Sequence, residues 1–375
     1  MSLITHFKPS DFLQRYWQQS PLFVEQCFTS LIDMVHGDDL AGLACDEYAE
    51  SRIIRGFGLN GDWRCEQGPF TEETFAKLPD TNWTLLVQGL DQWDEEFRHI
   101  LAAFDFLPRW RLEDIMASYA PKGGGVGPHF DYYDVFLIQV SGTRQWQIGQ
   151  QCNDQTALQK NDDVKLLEQF ETHAEYTATP GDMLYIPAGV AHWGTASSDD
   201  CITLSVGFRA PSEKEIMTEV FDDLVEQFSE QLRYRDSLDA IDANPFKMNG
   251  AVEENIKQFA ESLDPKKLEQ ALNKAFGCLV TEPRYLGFVE PGAEWQPEKL
   301  LNIFAKQERI SLEHAAHARF AFSKMGLFAS GEFYPSTEAF SRQICDGGLQ
   351  ATQDLAQLTI VCELLNSRLL EIVPD

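Results

Sequence analysis

The central part of the chain carries a repeating pattern of short apolar runs between turn-forming residues. From about Leu112 to Phe208, Gly, Pro and Asp separate runs that read DIMASYA, FDYYDVFLIQV, RQWQIG, DMLYIP and CITLSVGF. Apolar runs of this length between turn signals are typical of β-strands. A series of short strands favours a sandwich or a barrel, so we predict a β domain over this part of the chain.

The first hundred residues mix helix and strand signals. Pro9 and the polar residues after it predict a helix start at FLQRYWQ, and Pro21 predicts its end, because the residue before a proline disfavours helix. TNWTLLVQGLDQW, residues 81–93, predicts a strand that runs into a turn. We therefore assign residues 1–210 to one domain, in which these elements elaborate the β domain.

The pattern changes to helical periodicity after Ala210. Ser212 and Glu215 have the spacing of a capping box at a helix start. Apolar residues then recur at helical spacing: Ile216, Val220, Phe221, Leu224, Phe228 and Leu232. NIKQFAESL and PKKLEQALNKAFG continue this pattern, which predicts a helical segment over residues 211–275.

Residues 276–375 mix helical runs with a hairpin signal. PEKLLNIFAKQ and DLAQLTIVCELLNSRLL predict helices, and RFAFSKMGLFASGEFYPS predicts a hairpin around Ala329-Ser330-Gly331. A small unit of helices and a hairpin suggests a winged-helix-like module. Acidic residues outnumber basic ones in it, whereas a DNA-binding module needs a basic face, so we interpret it as a structural or protein-contact module.

Charge narrows the possible partners. The 375 residues include 30 Lys and Arg against 59 Asp and Glu, which gives a formal net charge of −29. Such a surface repels nucleic acid and anionic lipid and attracts basic proteins. We therefore expect no direct DNA binding and favour a basic peptide or protein as a partner.

Several features favour a cytoplasmic address. No run approaches the roughly 18 apolar residues of a membrane span, and the start MSLITHFKPSDF does not resemble a secretory signal. The 8 cysteines contain no C-x-x-C pair, so a disulfide framework or a thiolate zinc site is not indicated.

The segment PKGGGVGPHFDYYDVF, residues 121–136, carries a candidate metal site. On an extended strand His129 and Asp131 would project to the same side. His192 follows GDMLYIPAGVA, and antiparallel pairing could return it to the end of the first strand. Two histidines and one carboxylate form the ligand set of non-haem Fe(II) oxygenases. The alternative is two partly buried histidines that only bond backbone carbonyls.

Arg144, in SGTRQWQIG, should lie on the next strand. Its guanidinium could bind a carboxylate with two parallel hydrogen bonds, which suits a 2-oxoacid that chelates iron. The alternative is an ordinary surface arginine on a hairpin. The glycine run at residues 123–127 leads into a strand, so we exclude a nucleotide loop. His314 and His317, in a helical-looking EHAAH, lack a third ligand.

These motifs carry a family resemblance. GGGVGPHFDYYDVFLIQVSGTRQWQIG and GDMLYIPAGVAHWG resemble the JmjC-type ribosomal oxygenases, in particular the bacterial arginine hydroxylases of a large-subunit ribosomal protein; FLQRYWQQSPL and ESRIIRG are also similar. The resemblance covers nearly the whole chain. It implies an α+β fold: a double-stranded β-helix (a cupin or JmjC-type jelly roll) over residues 1–210, a helical dimerisation segment over 211–275 and a winged-helix-like domain over 276–375. It also implies a homodimer.

The resemblance also implies roles for individual residues. His129, Asp131 and His192 match the Fe(II) ligands; Arg144 matches the residue that binds the distal carboxylate of 2-oxoglutarate, and Ser118 matches a hydroxyl that helps to hold this co-substrate. O2 is the second co-substrate, and the products are succinate, CO2 and a hydroxylated side chain. Relatives often carry a serine where this chain has Ala120.

Tyr133 and Asp134, directly after the H-x-D motif, are candidate substrate contacts. By strand parity Tyr133 shares the side of Asp131, whereas Tyr132 and Asp134 point away. The predicted function is hydroxylation of an arginine in a basic large-subunit ribosomal protein. A histidyl hydroxylase or a lysine demethylase of the same chemistry, and a metal-binding cupin without catalysis that serves as a binding module, are the alternatives.

Overall fold

The computed structural model of the chain describes residues 3–59, 61–161, 163–225, 231, 233, 250–262, 264–284 and 294–373. The chain divides into two compact units. The first runs to Ala210 and also takes in Arg284. The second begins at Pro211 and contains the remaining part of the chain.

The first unit holds five α-helices and eleven strands among its described residues. The helices are α1 (Pro9–Arg15), α2 (Gly37–Leu43), α3 (Glu72–Ala76), α4 (Leu90–Trp93) and α5 (Glu95–Leu101). The strands are β1 (Leu22–Val24), β2 (Ser51–Arg55), β3 (Arg64–Gln67), β4 (Trp83–Val87), β5 (Leu112–Ala120), β6 (Asp134–Ser141), β7 (Arg144–Gln151), β8 (Ala174–Ala178), β9 (Met183–Ile186), β10 (Val190–Ala196) and β11 (Cys201–Phe208).

These strands form two antiparallel sheets. The larger one has eight strands in the order β1-β9-β6-β11-β5-β4-β2-β3, and the smaller one has three in the order β10-β7-β8. This arrangement confirms the predicted double-stranded β-helix. β6 explains how the layers pack: Phe136 and Ile138 lie in the core that includes Phe12 of α1, whereas Val135 and Leu137 pack with Trp146 of the smaller sheet. A strand covered on both faces reads as a continuous apolar run, as DVFLIQV does.

The second unit combines helices with two small sheets. Its helices are α6 (Glu213–Val225), α7 (Gly250–Ser262), α8 (Pro265–Thr281), α9 (Pro297–Phe304), α10 (Glu338–Cys345) and α11 (Leu355–Asn366). Its strands are β12 (Arg309–His314), β13 (Phe320–Ser323), β14 (Gly326–Ala329), β15 (Glu332–Pro335), β16 (Gly348–Gln350) and β17 (Leu370–Val373). The sheets have the orders β16-β12-β17 and β13-β14-β15.

Of three local predictions for this unit, two are confirmed and one was wrong. The capping box is present, since the Glu215 N–H donates to the Ser212 hydroxyl (3.1 Å) and the Ser212 N–H donates to the Glu215 carboxylate (2.7 Å). The hairpin around Ser330-Gly331 joins β14 to β15. The helical interpretation of EHAAH was wrong, because His314 ends strand β12.

Two further predictions concern the helical segment. The division expected between residues 275 and 276 falls inside α8, which continues to Thr281. Phe228 and Leu232 lie outside the described residues. Within the described part of the chain, no helix combines the length and the apolar character needed to cross a membrane.

Candidate active site

The three predicted metal ligands lie together at one end of the first unit. The Asp131 Oδ2 atom is 3.6 Å from Nε2 of His192 and 3.8 Å from Nε2 of His129. All three donor atoms lie within 4.8 Å of one another. Among the described residues this is the single cluster of three or more such side chains with this geometry.

Backbone pairing brings the two histidines together. The His129 N–H donates to the His192 carbonyl (3.1 Å), and the His192 N–H donates to the His129 carbonyl (2.8 Å). The predicted return of His192 to the first histidine is therefore realised as an antiparallel bridge. The expected strand through His129 and Asp131 was wrong, since β6 begins only at Asp134 and the H-x-D motif lies in the loop before it.

Each imidazole is oriented by the backbone carbonyl two residues before it. Nδ1 of His129 lies 2.9 Å from the Gly127 carbonyl and Nδ1 of His192 lies 3.0 Å from the Val190 carbonyl. A carbonyl only accepts hydrogen bonds, so each Nδ1 carries the proton and each Nε2 keeps a lone pair for a metal. The backbone contacts of the alternative interpretation are thus present, and they leave the other nitrogens aimed at Asp131.

Electrostatics keep the inner histidine neutral. His192 is 3% exposed, and burial together with the neighbouring His129 lowers its pKa to about 4, while Asp131 opposes that shift. A neutral imidazole is the form that binds a metal. Two imidazole nitrogens and one carboxylate oxygen match the donor set of Fe(II) in non-haem oxygenases, so these residues fit Fe(II).

A cavity of about 220 Å³ adjoins the three ligands. At one side Arg144, the first residue of β7, lines it and is 3% exposed, which rules out the surface-arginine alternative. Its Nη2 donates to the Ser118 hydroxyl (3.3 Å), and its guanidinium lies 5.8 Å from the centroid of the Trp146 ring. Its Nε has no hydrogen-bond partner among the described residues. A buried cation with an unused donor fits the carboxylate of a dicarboxylic ligand.

The sequence interpretation missed two polar residues that line this cavity. Thr203 and Ser205 lie on β11, where Thr203 is paired with Ser118 of β5. The sequence CITLSVGF could have identified them, because Ile202, Leu204 and Val206 alternate with small or polar residues, as on a strand with one apolar and one polar face. The apolar set enters the core beneath the sheet, and the alternate positions face the cavity.

Ala120, the position at which relatives often carry serine, lies away from this cavity. It is fully buried and packs with Ala196 and Cys201. The hydroxyls that line the cavity come instead from Ser118, Thr203 and Ser205.

The two candidate substrate contacts lie in different places. Tyr133 lines the cavity beside Asp131. Burial, and then the charges of Asp131, Asp114 and Glu113, raise the pKa of Tyr133 well above its ordinary value, so it is a neutral phenol. Asp134 is 1% exposed and lies outside the cavity lining, where its carboxylate accepts hydrogen bonds from Tyr185 and Gln18.

A double-stranded β-helix with this ligand set and a buried arginine defines the class of the protein: it is a 2-oxoglutarate-dependent dioxygenase. A family model described as a JmjC domain matches residues 99–216.

Curated relatives identify the family. The "Probable ribosomal oxygenase" of Haemophilus influenzae is 40% identical over 208 residues, which are 55% of this chain and 51% of the relative. The "Ribosomal protein uL16 3-hydroxylase" of Escherichia coli is 33% identical over 301 residues, which are 80% of this chain and 78% of the relative. The chain therefore belongs to the JmjC-domain ribosomal oxygenases.

Solved structures agree with this family assignment. An X-ray structure of Escherichia coli YcfD aligns with a TM-score of 0.83 at 28% identity and covers 100% of both chains. A complex of this ribosomal oxygenase with cobalt and 2-oxoglutarate aligns with a TM-score of 0.80 at 28% identity, over 98% of this chain and 99% of that one.

Proposed function

We propose that the protein hydroxylates an arginine side chain of the large-subunit ribosomal protein uL16. The relative from Escherichia coli carries uL16 in its name. The observation that carries the choice of arginine is the excess of carboxylates that line the cavity near Tyr133: Glu113, Asp114 and Asp131, against one cation, Arg52. A guanidinium is matched by carboxylates and by an aromatic face.

In the proposed reaction His129, Asp131 and His192 hold Fe(II). When bound, Fe(II) activates O2, so that 2-oxoglutarate is converted to succinate and CO2 and one oxygen atom enters a C–H bond of the substrate. Arg144 and Ser118 bind the distal carboxylate of 2-oxoglutarate and thereby fix its orientation towards the ligands.

Other residues that line the cavity position the target. Glu113 is itself paired with Arg284, and Asp114 accepts a hydrogen bond from the Gly89 N–H (3.1 Å). These contacts hold both carboxylates in place before the substrate arrives. Tyr133 supplies a flat wall against which a guanidinium or an aliphatic stem packs. Preorganised groups of this kind place the reacting carbon without further ordering cost.

Mass spectrometry of uL16 tests the substrate. The full-length protein is incubated with Fe(II), 2-oxoglutarate and uL16 that lacks the modification, and tryptic peptides are sequenced. We expect a gain of about 16 Da, one oxygen atom, on an arginine. Omission of 2-oxoglutarate is the control and should leave the mass unchanged.

Other products would identify the alternatives. A gain on histidine would establish a histidyl hydroxylase, and loss of a methyl group from lysine would establish a demethylase; either result contradicts the arginine assignment. Family membership argues against a cupin without catalysis. Succinate formation without any modified ribosomal protein would contradict the proposed substrate class and leave the dioxygenase class intact.

We also propose that the protein is a cytoplasmic homodimer that pairs through its helical segment. The support is a set of exposed apolar side chains: Phe221 and Val225 on α6, and Ile256 and Phe259 on α7, are 57–66% exposed. Multi-angle light scattering should give twice the mass of 42.5 kDa. Phe259→Glu should shift the mass towards that of one chain, whereas a monomeric wild-type protein would contradict the proposal.

A further inference from the structure

A buried polar cluster lies on the face of β6 that points away from the cavity. Asp134 begins β6 and is 1% exposed. The Tyr185 hydroxyl donates to Asp134 Oδ1 (2.6 Å), and Nε2 of Gln18 donates to Asp134 Oδ2 (3.2 Å). The Gln18 backbone N–H donates in turn to the Tyr185 hydroxyl oxygen (2.8 Å). The metal site itself uses none of these side chains.

This cluster holds the two chain segments that carry metal ligands. Asp134 lies three residues after Asp131. The loop at residues 187–189, which leads into β10 and His192, directly follows β9, the strand that carries Tyr185. Gly189 in this loop donates its N–H to the Asp131 carbonyl (2.7 Å). Through the Tyr185 hydroxyl, the carboxylate of Asp134 therefore joins the strand that leads to His192 to the segment that carries Asp131.

Burial of the Asp134 carboxylate lowers the stability of a core that is otherwise apolar. Asp134 shares its side of β6 with Phe136 and Ile138, and burial raises its pKa while the bonds from Tyr185 and Gln18 lower it. Burying a carboxylate is unfavourable unless donors surround it. An apolar residue would fill the same space without that cost, but it could not accept a bond from the Tyr185 hydroxyl.

The backbone of Gln18 is adjusted to the cluster. Gln18 has φ of 56°, a left-handed conformation that a residue with a side chain rarely adopts. Such a conformation is unfavourable and persists where the surrounding contacts impose it. Here it lets Gln18 direct both its backbone N–H and its side-chain amide into the cluster.

We propose that Asp134 is a positioning residue for the metal centre: it fixes the spacing of Asp131 and His192 and so sets the affinity for the metal. It touches neither the metal ligands' donor atoms nor the cavity. Sequence reasoning placed Asp134 among the substrate contacts, and the structure gives its carboxylate this other use. The proposal concerns metal binding alone and does not depend on the identity of the protein substrate.

Asp182 provides a matched control. It is also buried (4% exposed), and it also binds the N-terminal segment, since its Oδ1 accepts from the Gln26 N–H (2.9 Å). Its Oδ2 accepts from the Thr179 N–H (2.8 Å). It precedes β9, at the end opposite to the loop that leads to His192. Asp182→Asn therefore disturbs a comparable buried carboxylate without touching the ligand-bearing segments.

Cobalt titration of full-length apoproteins tests the proposal. In Asp134→Asn an NH2 group replaces one oxygen and meets donor groups, so we expect the Kd for Co(II) to rise by roughly 10–100-fold, the usual effect of a group that orients metal ligands. The visible absorption bands of bound Co(II) should also change, since they report ligand geometry. Asp182→Asn should lower the Tm but leave the Kd and the bands close to wild type.

Two results would overturn the proposal. One is an equal change of Co(II) affinity in both variants, which would mean a general loss of stability. The other is a lower Tm for Asp134→Asn with wild-type affinity and spectrum. If Asp134→Asn does not fold, Tyr185→Phe removes one hydroxyl only; a smaller rise in the Kd for Co(II) supports the proposal, and an unchanged Kd contradicts it.

Discussion

Arg144→Ala is expected to lower kcat/KM for 2-oxoglutarate by about 100-fold or more while Co(II) binding stays close to wild type. The reason is burial: the guanidinium is 3% exposed, so its contact with a carboxylate is shielded from water. Removing one partner of a buried, hydrogen-bonded charge pair costs about 2–5 kcal/mol. Because the metal ligands are other side chains, the loss falls on co-substrate binding. Succinate formation as a function of 2-oxoglutarate concentration measures it.

Three further variants separate this effect from general damage. Arg144→Lys keeps the charge but loses the forked geometry, so it should recover only part of the activity. Ser118→Ala removes a single hydroxyl and should cost about tenfold or less. Arg98 on α5 also has a buried Nε without a partner among the described residues, and it lies outside the cavity lining. If Arg98→Ala reduced kcat/KM as much as Arg144→Ala, the assigned role of Arg144 would be wrong.

The unused donor of Arg144 also explains a conflict between stability and function. A buried guanidinium that is incompletely bonded lowers the stability of the ligand-free protein. When a carboxylate binds, it accepts a hydrogen bond from the free donor of the guanidinium, so ligand binding removes this source of instability. Functional sites can contain incompletely bonded buried groups of this kind, because the ligand supplies the missing partner.

The β domain could be predicted from sequence because its signals are local. In CITLSVGF the apolar and polar positions alternate, and in DVFLIQV the apolar run is continuous; each pattern reports how the two faces of one strand are covered. Arg144 at the start of β7 followed from the same strand signals.

Other features depend on partners that are distant in the sequence. The bridge between His129 and His192 joins positions far apart in the chain, and no local pattern encodes it. The prediction of a strand through the H-x-D motif failed because polar, turn-rich residues precede β6. EHAAH was misread as helix because tertiary pairing of β12 with β16 and β17 overrides its helix propensity.

The role of Asp134 also depends on partners that are distant in the sequence. Strand parity predicted that Tyr133 faces the cavity and that Asp134 points away, and both lie so, although the strand on which this argument relied begins only at Asp134. Parity alone does not say what lies on the other face. The donors there come from Gln18 and Tyr185, which belong to separate segments of the chain. A polar residue next to a motif therefore suggested substrate binding, whereas its contacts place it in the support of the metal centre.

Asp131→Ala is expected to abolish turnover and to lower Co(II) affinity by more than the roughly 10–100-fold typical of groups that only orient ligands. Asp131 is the single anionic member of the cluster, and its Oδ2 lies 3.6–3.8 Å from both Nε2 atoms. Without it, only the two imidazoles remain. The side chain is 23% exposed, so we expect the free energy of unfolding of the apoprotein to change by about 1 kcal/mol at most.

Thermal unfolding with and without Co(II) distinguishes loss of the site from loss of the fold. A ligand at 100 times its Kd stabilises a native protein by about 2.7 kcal/mol, so wild type should unfold at a higher temperature when Co(II) is added. Asp131→Ala should unfold at nearly the same temperature in both conditions. Asp114 lines the same cavity but is not a ligand, so Asp114→Asn should keep the cobalt-dependent shift. A full shift in Asp131→Ala would mean that the metal binds elsewhere, and the two histidines and one aspartate would then not form the catalytic centre.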